Sequence, residues 1–167
     1  MNRLDGKIAV ITGGAQGLGA AVAHQFAAAG AAGLVLCGRS AQKGRAVAAE
    51  IAASASIEVH FVAADLAEAA DCGAVIAEAD ARFGRIDILV NAAGLTDRGT
   101  LLDTTPDLFD RLFAVNTRAP FFMMQGAARL MIREGSRGRS SISARPRPMP
   151  GSRFSHPTPR RKARLRH

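Results

Sequence analysis

Three glycines, Gly13, Gly17 and Gly19, separate a short apolar run, Ile8-Ala9-Val10-Ile11, from an alanine-rich stretch over residues 20–29. The run reads as a buried strand and the stretch as a helix, so the glycines fall at a strand-to-helix junction. Glycine is needed there when the backbone turns sharply and a bulky anion approaches it. The helix then presents free N–H groups at its N-terminus, where the macrodipole favours negative charge. A dinucleotide pyrophosphate is the usual occupant of such a junction, although any tight turn or close helix–strand contact also selects glycine.

Strand and helix patterns alternate beyond it. Leu18, Val22 and Phe26 recur at four-residue spacing, and Gly30 is a stop. Residues 34–37 form a second buried strand, followed by Gly38-Arg39-Ser40, and 41–53 form a helix. A third strand spans 57–62 and is left through Ala64-Asp65-Leu66. Residues 68–83 are helical, 86–90 make a fourth strand, and Asn91-Ala92-Ala93-Gly94 follows directly. This alternation predicts an α/β fold, a doubly wound parallel sheet with helices on both faces. Residues 107–133 read as a long helix flawed at Pro120, which cannot donate to the carbonyl of Asn116. The helix should kink there and free that carbonyl for a water or ligand. An ordinary helical asparagine beside a simple break fits the same spacing.

Charge divides the chain. The net charge is +8, but all 14 acidic residues lie in 1–134, against 12 Lys and Arg. Residues 135–167 hold the other 10 basic residues and five of the seven prolines. Two regions follow: a globular domain over 1–134 and a basic Pro/Arg-rich tail over 135–167. The tail reads as a disordered extension rather than a nucleic-acid-binding arm. No run is long enough to span a membrane and no leader is evident, which makes a cytoplasmic protein the expectation. Cys37 and Cys72 have neither metal nor disulfide-framework spacing, so no metal is expected.

Four features stand in fixed order: Thr12-Gly13-x-x-x-Gly17-x-Gly19, Asp65-Leu66, Asn91-Ala92-Ala93-Gly94, and Asn116. In combination, over residues 3 to about 134, the chain resembles the short-chain dehydrogenase/reductase family. That family consists of Rossmann-type NAD(P)-dependent oxidoreductases, homo-oligomeric enzymes that move hydride between a nicotinamide cofactor and an alcohol or carbonyl. The resemblance implies that Thr12, Gly13, Gly17 and Gly19 seat the pyrophosphate, with Gln16 and Leu18 lining it. It implies that Asp65 bonds the adenine amino group with Leu66 beside it, although Asp65 could instead cap the next helix. Asn91, Ala92, Ala93 and Gly94 would run along the nicotinamide-side ribose, and Asn116 would hold a water of the proton relay. The second strand ends in Gly38-Arg39 with no acid. Arg39 can pair with a ribose 2′-phosphate, which favours NADP(H) over NAD(H), unless it simply faces solvent.

The rest of the family's machinery is a tyrosine, a lysine four residues later and a serine about 13 residues earlier. The chain contains no tyrosine, and its lysines are Lys7, Lys43 and Lys162. Read one base out of register, codons compatible with residues 140–145 also spell Ile-Val-Asn-Ile-Ser-Ser. Tyrosine and lysine codons can straddle Pro157-Thr158 and Arg161-Lys162 at the required spacing. The tail thus reads as a shifted frame, and the chain as a truncated, catalytically inactive form that keeps a cofactor-binding module. An incomplete sheet of about four strands is expected. Loss of the strand after the kinked helix should leave the fourth strand uncovered and prone to aggregation.

Overall fold

The computed structural model describes residues 4–135 and the backbone of a strand at 139–142. Five parallel strands lie in the order β3-β2-β1-β4-β5. They are β1 (Ile8–Thr12), β2 (Gly33–Gly38), β3 (Glu58–Ala63), β4 (Ile88–Asn91) and β5 (Arg139–Ile142). Between them run α1 (Gly17–Ala28), α2 (Ala41–Ala55), α3 (Ala69–Phe83), α4 (Pro106–Phe113) and α5 (Ala119–Arg133). A π-helical turn, Ala114–Arg118, joins α4 to α5.

Side chains along a strand alternate between its faces, and here the two faces bury different helices. Ala9, Ile11, Leu34, Leu36 and Val90 pack with Ala23, Ala27, Ala48 and Ile51 of α1 and α2. Val10, Val35, Cys37 and Leu89 pack on the other side with Val75 and Ala79 of α3 and Met123, Ala127 and Leu130 of α5. Both faces of the central strands are covered, which is why they read as unbroken apolar runs. The connections step from β1 out to β2 and β3, then cross back to β4 on the other flank of β1. The carboxyl ends of β1 and β4 therefore border the place where the winding reverses, the crevice where open α/β sheets bind ligands.

Helix ends are closed as local chemistry requires. The Ser40 hydroxyl accepts the Lys43 N–H at the start of α2. Thr105 caps α4 ahead of Pro106, and Gly84, at φ +66°, ends α3 with its N–H on the Asp80 carbonyl. The stretch read as one long helix over 107–133 is divided by a π-helical turn that ends two residues before Pro120. Within this turn the Ala119 N–H reaches back five residues to the Ala114 carbonyl.

One expectation is corrected. The strand after the kinked helix is present: Arg139–Ile142 pairs in parallel with β4, Ile88 opposite Arg139 and Asn91 opposite Ile142. β4 is an inner strand, not an exposed edge. Parallel pairing is made by backbone groups, and Arg139-Ser140-Ser141-Ile142 contains no proline to interrupt it. The tail expected to be disordered over 135–167 is therefore ordered as a strand at 139–142, and its residues 136–138 and 143–167, with Pro157, Thr158, Arg161 and Lys162, lie outside the described residues.

Candidate cofactor site

At the carboxyl end of β1 the chain is stitched to its neighbours on both sides. The Thr12 hydroxyl, fully buried, accepts the Ala93 N–H at 3.0 Å, and the Gly14 N–H donates to the Cys37 carbonyl at 3.0 Å. Gly13 has φ +70°, and a Cβ there would lie 3.0 Å from the Ala93 backbone. A Cβ on Gly19 would lie 2.3 Å from the Gly13 carbonyl oxygen. Gly14 is equally confined: a Cβ would meet the Leu36 side chain at 2.8 Å. Spacing within the loop carries no sign of this constraint on Gly14, because it comes from β2 and not from the loop's own turn.

Gly17 differs from these. It sits at φ +57°, and a Cβ on it would meet nothing within 4 Å. It opens α1, whose N-cap Gln16 makes no side-chain cap and whose first turn carries no acid. The space a Gly17 side chain would take is thus open, beside an uncapped, acid-free helix start at the positive end of the dipole, the local chemistry that receives a phosphate. Gln16 and Leu18 flank this opening, and both are exposed.

The loop leaving β3 forms a second wall. Asp65 accepts the Ala67 N–H at 3.1 Å and the Arg111 guanidinium at 2.8 Å. The Ala67 amide and the charges of Arg111 and Arg39 outweigh partial burial and hold its carboxyl below the usual range. Asp65 does not cap α3, whose N-cap is Glu68. Arg39 lies in the electrostatic field of Asp65, so the end of β2 and the loop after β3 share one corner. The Leu66 side chain is buried in the core cluster that includes Val75 and Met123, so only its backbone borders this corner.

The loop after β4 is the third wall. Asn91 is buried, and its Nδ2 has no hydrogen-bond partner among the described residues. Ala92 and Ala93 follow, packed close to Gly13, and a Cβ on Gly94 would lie 3.7 Å from the Asn116 side-chain oxygen. The Asn116 side chain, from the π-helical turn, grips Leu95 with both atoms of its amide. Oδ1 accepts the Leu95 N–H at 2.8 Å, and Nδ2 donates to the Leu95 carbonyl at 2.7 Å. The side chain therefore fixes a loop. Cys37 lies beneath the glycine loop, where burial pushes its thiol up to about 12, so it is no nucleophile. A groove of about 470 Å³ between α3 and α5 is lined by none of these residues. Among the described residues no cluster could hold a metal, and no helix is long and apolar enough to cross a membrane.

The model of the short chain dehydrogenase family matches residues 7–142. The chain belongs to the short-chain dehydrogenase/reductase family. A sorbitol dehydrogenase of Cereibacter sphaeroides is 41% identical over 137 residues, which cover 82% of this chain and 52% of that protein. The short chain dehydrogenase/reductase nsrJ of Aspergillus novofumigatus is 42% identical over 80% of this chain and 50% of its own length. The chain thus spans about half the length of the curated relatives it matches. Among solved structures, a metagenomic short-chain oxidoreductase in complex with NADP superposes with a TM-score of 0.77 at 36% identity, covering 83% of this chain and 62% of that one. The L-sorbose reductase of Gluconobacter frateurii, complexed with NADPH and L-sorbose, gives a TM-score of 0.81 at 29% identity, covering 85% and 54%. The family match runs through β5 and so past residue 134, where the resemblance in motifs stops.

Proposed function

We propose that this chain is the cofactor-binding half of a short-chain dehydrogenase/reductase, holding NADP(H) across the carboxyl ends of β1 and β4. The reading rests on one observation: the uncapped, acid-free start of α1 faces open space at Gly17, while Gly13 and Gly19 pack against backbone. The pyrophosphate lies on the α1 N-terminus, with the adenine toward Asp65. The nicotinamide-side ribose lies toward Asn91, whose buried Nδ2 has no partner among the described residues. Arg39 and the lack of an acid at the end of β2 favour a 2′-phosphorylated cofactor. The NADP and NADPH complexes of the neighbours just described support that choice. The bound cofactor would supply hydride, exchanged with an alcohol or carbonyl substrate.

These 167 residues contain no tyrosine to carry a proton to or from the substrate oxygen, so this chain binds cofactor without turning substrate over. Titration of the full chain with NADPH, followed by nucleotide fluorescence, should saturate below about a millimolar, an affinity of roughly 4 kcal/mol or more. Gly17→Glu, which puts a carboxylate where the phosphates sit, should weaken binding by about tenfold or more. Arg39→Ala should weaken NADPH about fivefold and leave NADH unchanged. Absence of saturation at several millimolar removes the reading. Turnover of alcohols or ketones at ordinary enzymatic rates, about 1 per second or faster, removes its non-catalytic part.

A further inference from the structure

The loop that leaves β3 is held from outside by the helix that follows β4. Arg111, on α4, donates through Nη2 to Oδ2 of Asp65 at 2.8 Å. Arg118, the last residue of the π-helical turn, donates through Nη2 to the Ala67 carbonyl at 2.5 Å. Asn116, between them in sequence, grips Leu95. One short segment, 111–118, therefore fastens both the loop after β3 and the loop after β4.

A carboxylate offers about four acceptor positions on its two oxygens. On Asp65 the Ala67 N–H occupies one on Oδ1, and Arg111 occupies one on Oδ2. Among the described residues these are the bonds its oxygens accept, which leaves one position on each. With the Ala67 contact alone the carboxylate could still turn about its terminal torsion, which is soft. The Arg111 bond removes that freedom. Arg118 then prevents the loop itself from lifting, because its partner is backbone rather than side chain.

We propose that Arg111 and Arg118 are positioning residues for the adenine end of the cofactor. They lock the 65–67 loop so that Asp65 presents oriented acceptors that select a 6-amino purine over a 6-oxo purine. This rests on the NADP(H) assignment above. The selection follows from charge and lone pairs: an ionised carboxylate accepts from an amino group and repels a purine carbonyl oxygen in the same place. An unlocked carboxylate turns aside and loses both the attraction and the repulsion.

The test compares NADPH with its deaminated, hypoxanthine-bearing analogue in fluorescence titrations of the full chain. Arg111→Ala, Arg118→Ala and Arg111→Lys are measured beside the unmodified protein, together with amide hydrogen exchange at Ala67 in the absence of nucleotide. Arg111→Ala should weaken NADPH about fivefold while leaving the analogue within about twofold, so that the preference collapses. Arg118→Ala should reduce the preference in the same direction, Arg111→Lys should restore part of it, and Ala67 exchange should accelerate in both alanine variants. Equal weakening of the two nucleotides, or no change in either, overturns the proposal while NADPH binding by the unmodified chain stands. If the unmodified chain binds neither nucleotide, the cofactor assignment falls and this proposal falls with it.

Discussion

Gly19→Ala is expected to destabilise the fold by about 3 kcal/mol, although alanine is the better helix former by roughly 1 kcal/mol. A Cβ at this position would sit 2.3 Å from the Gly13 carbonyl oxygen, 2.6 Å from its carbon and 3.0 Å from the Gly14 nitrogen. All three are backbone atoms of a loop already tied to β2 through Gly14 and to the β4 loop through Thr12. No flexible side chain is available to swing away, so α1 must shift outward and lose contact with the sheet. For a domain of this size about 3 kcal/mol corresponds to a fall in Tm of roughly 10 °C. Gly73→Ala is the matched control. It lies inside α3 with nothing within 4 Å of an added Cβ, and it should raise Tm slightly, by about 0.5–1 kcal/mol of stability. Thermal melts of the two variants, followed by far-UV circular dichroism, check the pair. Equal behaviour would mean that the loop–helix contact at Gly19 does not confine that residue.

The contrast between those glycines marks how far the sequence can be read. The spacing of Gly13, Gly17 and Gly19 announces a strand–turn–helix junction, because that geometry is local. It cannot say that Gly14 is squeezed by Leu36, or that a Cβ on Gly44 would lie 2.0 Å from the Phe61 ring, since those contacts come from other elements. β1, β2 and β4 are legible because they are inner strands whose largely buried apolar runs are unbroken, and β3, the half-buried edge strand, because Val59, Phe61 and Val62 favour a strand even with His60 among them. β5 is illegible for the opposite reason: Arg-Ser-Ser-Ile carries no hydrophobic signal, and its pairing is made by the backbone. Pro120 signals a fault in the long helix, but not that the fault is a π-helical turn or that the Asn116 side chain serves Leu95. Asp65 and Arg111 stand 46 residues apart, so their ion pair depends wholly on the crossover that brings α4 back across the sheet. That the Leu66 side chain belongs to the core, while Asp65 beside it bonds Arg111, is likewise set by elements distant in sequence.

At the opposite, amino end of the same strands, Asp87 is expected to hold the sheet together in a pH-dependent way. It is 5% exposed and immediately precedes β4. Its Oδ2 accepts the Ile8 N–H at 3.0 Å, and its Oδ1 accepts Arg85 at 2.5 Å and Lys7 at 3.4 Å. Its own N–H donates to the Ile8 carbonyl at 2.9 Å, so Asp87 and the start of β1 are joined in both directions. Burial alone would raise its pKa. The Arg85 and Ile8 bonds and the charges of Arg85 and Lys7 overcome that and leave it below the ordinary value. A carboxylate with a depressed folded-state pKa contributes stability that is complete above its unfolded value, about 4, and is lost as pH falls through the folded value. The unmodified chain should therefore lose stability progressively below about pH 5, partly through this group. Asp87→Asn cannot replace it, because an amide oxygen can meet one of the two donor groups while its NH2 must face the other. It should cost about 2–3 kcal/mol near neutral pH and flatten the acid limb. Urea melts from pH 4 to pH 8 measure both effects. Well below the variant's Tm, NADPH affinity should stay within about twofold of the unmodified chain, because Asp87 lies at the end of the sheet away from Gly17 and Asp65. A variant with full stability at pH 7, or an unmodified chain and variant with parallel acid limbs, would mean that Ile8 is anchored by its backbone pairing alone.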